Sequence, residues 1–96
     1  MTDNKKDNRL IVKVFRSNKA IYGQAFNDGI VIAEQSTLKY DSKLKPIEAA
    51  SKAGQELAGK IKVKKFDSII FDRNGYRYHG RVKALAEGLR TGGIKF

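Results

Sequence analysis

The 96-residue sequence has no cysteine, one proline and one histidine. Without cysteine there is no disulfide framework, no thiolate nucleophile and no cysteine-ligated zinc. A single histidine, His79, lacks a second soft ligand, so no metal site is expected around it. Long apolar runs are missing too: the longest are a few residues, far short of the roughly 20 that a membrane span needs. The opening MTDNKKDNRL alternates acid with base and carries no apolar stretch of the kind an export signal has. These absences point to a cytosolic chain, neither exported nor inserted in a membrane. No P-loop, dinucleotide fingerprint or Ser-His-Asp pattern is present, so no cofactor, small-molecule substrate or catalytic residue is expected.

Acidic residues are also scarce, with 10 Asp plus Glu against 20 Lys plus Arg, which leaves a formal charge of +10. Such an excess repels itself in the free chain and is favourable beside a polyanion. Nucleic acid and an anionic membrane both satisfy that condition, as does the blander reading of a merely basic soluble protein. The length suits one core, and with 41% hydrophobic residues there is enough apolar side chain to fill it.

Residues 1–9 lack periodicity and read as a flexible basic tail bearing Lys5, Lys6 and Arg9, with one domain over residues 10–96. Three β-type runs follow: Leu10 to Phe15, Ala20 to Phe26 and Ile30 to Gln35. Arg16-Ser17-Asn18-Lys19 is a turn between the first two. Asp28-Gly29 is a hairpin signal between the second and third, because the tight turn needs the positive φ that glycine accepts freely. After a polar loop, Pro46 suits a first helical position. Ile47, Ala50, Ala53, Leu57, Ala58 and Ile61 then recur at helical spacing. Gly54 and Gly59 weaken that helix by about 1 kcal/mol each relative to alanine. Phe66 to Phe71 reads as a fourth strand, expected to enter parallel to a neighbour because a helix precedes it. Val82, Leu85, Ala86 and Leu89 mark a second helix that Gly92-Gly93 ends, with Ile94 to Phe96 as a short extended tail. The order is β-β-β-α-β-α: an α/β fold with a mixed sheet, an antiparallel three-strand meander plus a crossover strand, packed by two helices.

Recognition chemistry concentrates between Arg73 and Lys83. Arg73, Arg77, Arg81 and Lys83 are interleaved with Tyr76, Tyr78, His79, Gly75 and Gly80, and no acid interrupts them. Arginine forks pair with phosphate oxygens, aromatic faces stack on unpaired bases at about 1–3 kcal/mol each, and glycine lets backbone approach closely. The competing reading is structural: the tyrosines pack beneath the loop and the cations are solvated. The Arg16–Lys19 turn is a weaker second candidate, and the Lys60 to Lys65 run equally suits a solvated helix end. Carboxylates that could hold Mg²⁺ in a nuclease, such as Asp67 and Asp72, show no spacing that demands it.

VFRSNKAIYGQ (Val14 to Gln24) and FDRNGYRYHGRVKALAEGLRTGGIKF (Phe71 to Phe96) resemble the two signature blocks of the bacterial-type ribosomal protein L-eighteen family, which binds 5S rRNA in the large ribosomal subunit. The similarity spans about Leu10 to Phe96. It implies a ribonuclease-H-like layout without its active site, and a place in the central protuberance linking 5S rRNA to the large rRNA beside neighbouring ribosomal proteins. By position it implies RNA contacts for Arg16, Ser17, Asn18, Lys19 and Tyr22, and for Arg73, Tyr76, Tyr78, His79 and Arg81, with Ser36 and Thr37 as a small polar pair beside them. Arg77 joins this set from the loop's own chemistry, and Lys5, Lys6 and Arg9 from the tail. Family members usually begin with a longer arginine-rich arm, so arm contacts should be reduced here. They also tend to carry His where this chain has Ala20, and often Gly where it has Lys65. The alternative is an RNA-binding module acting outside the ribosome.

Overall fold

The run LIVKVFR forms strand β1 (Leu10–Arg16) in the computed structural model, which describes residues 10–17, 20–38, 40 and 43–96. β1 pairs antiparallel with β2 (Ile21–Asn27), and β2 with β3 (Ile30–Ser36). Between β2 and β3, Asp28 and Gly29 both have positive φ, 54° and 81°, which is the two-residue turn that the Asp-Gly pair favours. Helix α1 (Pro46–Val63) crosses from β3 to β4 (Ile69–Asp72), and helix α2 (Gly80–Thr91) follows. The sheet order is β3-β2-β1-β4; β4 enters parallel to a neighbour, as anticipated, and that neighbour is β1.

Alternation along the strands divides the sheet into two faces. Leu10, Val12, Val14, Ile21, Ala25, Ala33 and Ile69 are buried toward the helices. They meet Ala50, Ala53, Leu57, Ala58 and Ile61 of α1 and Val82, Leu85, Ala86 and Leu89 of α2, all buried. Ile47 departs from the expected stripe. It lies in the first turn of α1 and is 49% exposed, so the buried face begins at Ala49 and Ala50. Among the described residues no helix lies on the opposite sheet face. One row across it is apolar, Ile70–Ile11–Phe26–Val31; the next is polar, Asp72–Lys13–Gln24–Glu34; the third is Phe15–Tyr22–Ser36.

The helices cross at two glycines. A Cβ on Gly54 would overlap the Leu85 carbonyl oxygen, and one on Gly88 would overlap the Ser51 carbonyl oxygen. The close approach therefore depends on both residues lacking a side chain. β4 is shorter than the sequence suggests. Before Ile69 the chain pairs with the C-terminal tail instead of β1: Lys95 N–H donates to the Asp67 carbonyl (2.8 Å) and Ile69 N–H to the Lys95 carbonyl (3.0 Å). The loop after β3 is tied to α1 by Tyr40, whose hydroxyl donates to the Glu56 carboxylate at 2.7 Å. Burial, and then the negative charge of Glu56, push that phenol well above its ordinary pKa.

Candidate nucleic-acid interface

Because β4 runs parallel to β1, the two strands end at the same edge of the sheet, and each ends in arginine: Arg16 closes β1 and Arg73 follows β4. Residues 60 positions apart in sequence are thereby brought together. Asn74 Nδ2 donates to the Val14 carbonyl at 3.1 Å. The Tyr76 hydroxyl accepts from Arg16 N–H at 3.2 Å and donates to the Arg16 carbonyl at 3.4 Å. The Arg16 guanidinium lies 4.9 Å from the Tyr76 ring centroid, and Arg81 Nη2 donates to the Ser17 carbonyl at 3.1 Å.

The loop is aimed by a second tight turn. Asn74 and Gly75 have φ of 56° and 80°, and Tyr76 N–H donates to the Arg73 carbonyl at 2.9 Å. Both central residues are thus in the left-handed region that Asn-Gly tolerates best. The neighbouring acid, Asp72, is engaged locally, accepting from Asn74 N–H at 2.8 Å. Arg16, Arg73, Arg77, His79 and Lys83 are exposed and Arg81 is half-buried. His79 is the N-cap residue of α2, whose first turn contains no acid, so the positive end of the helix dipole adds to the cationic rim.

The structure separates residues that the sequence grouped. Tyr76 packs into the core cluster formed by Val14, Ile21, Ala50, Val82 and Leu85, and its ring and hydroxyl are both taken up by Arg16. Tyr78 is 37% exposed; its hydroxyl accepts from Arg90 Nη1 at 3.2 Å, and its ring meets Phe71 edge-on. Tyr76 thus has the structural role that was the competing reading of the loop. Ser17 closes the hairpin through bonds with Ala20. Ser36 Oγ accepts from Leu38 N–H, and Thr37 Oγ1 from Ile21 N–H, so this polar pair caps the same sheet end. Asn18 and Lys19, with Lys5, Lys6 and Arg9, lie outside the described residues.

Phe15 and Lys13 went unnoticed in the sequence although alternation was there to find them. With Leu10, Val12 and Val14 inward, Phe15 must lie on the open face, and the short turn sets it opposite Tyr22. The Lys60 to Lys65 run sits at the end of α1, leading to the start of β4 at the other end of the sheet, and Lys60 Nζ donates to the Glu34 carbonyl at 2.8 Å. Asp67 falls before β4, not within one strand with Asp72. Among the described residues no three His, Asp or Glu groups gather as a metal site would require.

The sequence model of a family described as "Ribosomal L18 of archaea, bacteria, mitoch. and chloroplast" matches residues 2–96. The chain belongs to this family. Among its L18 relatives is the large ribosomal subunit protein uL18 of Bacteroides fragilis, 46% identical over 87 residues, covering 88% of this chain and 76% of the relative. The uL18 of Listeria innocua is 46% identical over 94 residues, covering 94% and 79%. That of Chloroherpeton thalassium is 49% identical over 89 residues, covering 86% and 74%. L18 proteins are structural, non-enzymatic ribosomal proteins. Lys65, where the resemblance led us to expect glycine, sits just past the end of α1 with φ of 72°, a left-handed conformation that glycine adopts without steric cost.

Proposed function

We propose that this chain is a structural constituent of the large ribosomal subunit, in the cytoplasmic ribosome, that binds 5S rRNA and links it to the large rRNA in the central protuberance. The observation that carries the reading is the closure of two basic segments against each other at one end of the sheet. Arg81 reaches Ser17, Tyr76 clasps Arg16, and the remaining arginines are left pointing away from the core. A folded RNA presents phosphates at fixed spacing, so affinity needs cations whose backbones do not drift. Tyr76 and Asn74 supply that rigidity, while Arg73 and Arg77 supply charge. Membership of the L18 family and relatives named for the large subunit support the same reading.

In this account Arg16, Arg73, Arg77, His79 and Arg81 meet the RNA directly. Ser17, Thr37, Tyr76 and Tyr78 shape the surface they stand on, Tyr22 and Ser36 offer further contacts beside it, and Asn18, Lys19 and the tail cations Lys5, Lys6 and Arg9 extend it. Neighbouring large-subunit proteins are the remaining partners. Filter binding to 5S rRNA across a salt series tests this. The Arg73→Ala, Arg77→Ala double variant should keep its thermal melt, lose roughly tenfold or more in affinity, and flatten the log–log salt slope by about 1.5, given about 0.7–0.9 per phosphate contact. Salt-insensitive binding by the unaltered chain would overturn the proposal. A 5S affinity no better than that for unrelated RNA would favour a module working outside the ribosome.

A further inference from the structure

We propose that Phe15 and Tyr22 form a stacking platform for an unpaired base of the bound RNA, on the sheet face that the helices leave open. This rests on the RNA-binding reading above and adds to it a site for a nucleobase, distinct from the phosphate-binding rim. The two residues are partners across β1 and β2. Their rings stack on one another, 5.3 Å between centroids at 17°, so a base added to the outer face of either ring would continue the stack. Both are half-buried, not sealed, and among the described residues no helix covers that face.

The surroundings select for a base over an apolar protein segment. The adjoining row is polar, Lys13 with Gln24 and Glu34, and Arg16 follows Phe15 in the chain, at the margin of the cationic rim. A groove of about 550 Å³ opens beside Tyr22, lined by Gln24, Glu34 and Ser36 among others. A nucleotide fits in that volume. Stacked on the pair, its base would turn its hydrogen-bonding edge toward side chains that both donate and accept: the Gln24 amide, the Ser36 hydroxyl and the Glu34 carboxylate. Gln24 Nε2 already donates to Glu34 Oε1 at 2.9 Å, which orients the amide before any ligand arrives. The fully apolar row, Ile70–Ile11–Phe26–Val31, lies at the far end of the same face. A greasy partner would be drawn there instead.

The test uses the full chain with 5S rRNA. Phe15→Leu keeps apolar volume but removes the π-face; it should lower affinity about 5- to 160-fold, the range stacking on one base gives, with the salt slope unchanged. Phe15→Tyr should restore binding. The chain has no tryptophan, so Phe15→Trp introduces a single reporter whose fluorescence 5S rRNA should quench. Should Phe15→Leu fail to fold, that quenching alone decides the matter. Salt-dependent binding by the unaltered chain with an unquenched Phe15→Trp variant overturns the platform and leaves the rim standing. So does a Phe15→Leu variant with full 5S affinity that no longer enters large subunits, which would assign the face to a protein neighbour. Loss of all 5S binding by the unaltered chain instead overturns the functional reading itself.

Discussion

Tyr76 ties together the two segments of the proposed interface. Its hydroxyl takes the N–H and offers a proton to the carbonyl of Arg16, and its ring carries the Arg16 guanidinium. Tyr76→Phe should cost about 0.5–1 kcal/mol in urea unfolding, the low end for a hydrogen bond because the pair is solvent-exposed. It should also weaken RNA binding without changing the salt slope, since no cation is removed. Lys65 is a second single-residue case. At φ of 72° its Cβ is crowded, so Lys65→Gly should stabilise by up to about 1 kcal/mol, strain relief exceeding the entropy of the freer unfolded chain. Equilibrium denaturation checks this; a loss of stability would show that the lysine side chain makes compensating contacts. Both effects escape a reading by residue type alone. A tyrosine in a basic loop looks like a base-stacking group, and only the partner 60 positions away adds the tie to the Arg16 backbone.

At the scale of elements, the contact between α1 and α2 governs how firmly the loop before α2 is held. Helical spacing in the sequence makes Gly54 and Gly59 look like equal weaknesses, yet they differ in kind. Gly54 faces the Leu85 backbone with no room for a Cβ, whereas a Cβ on Gly59 meets nothing within 4 Å. Gly59→Ala should therefore stabilise the protein by about 1 kcal/mol, the intrinsic helix preference. Gly88→Ala should destabilise by at least about 1–3 kcal/mol, because the helices must separate around it. Thermal melts of the two variants should shift in opposite directions. The strands were more legible than this crossing. Alternation in LIVKVF and the Asp28-Gly29 pair locate the meander, because register and turn chemistry are local. The shortened β4 was not, because its first residues pair with the tail around Lys95, a partner that periodicity cannot reveal.

For the whole molecule, the arrangement of charge follows from topology. A strand that enters parallel to β1 must end where β1 ends, so Arg16 and Arg73 share a margin of the sheet. The expectation of a parallel fourth strand left the neighbour unnamed; that it is β1 brings Arg16 and the loop from Arg73 to Arg81 together. The open face with Phe15 lay hidden because burial on one face of a strand says nothing of what the other face is for. The claim on which all else depends is that this end of the sheet, and not the outer surface of the helices, grips 5S rRNA. Ultraviolet crosslinking of the full chain to 5S rRNA, with the linked peptides identified by mass spectrometry, tests it directly. The account predicts crosslinks in the Phe15–Tyr22 hairpin and the Arg73–Lys83 loop. Crosslinks confined to the exposed side of α1, around Lys52 and Glu56, would contradict it.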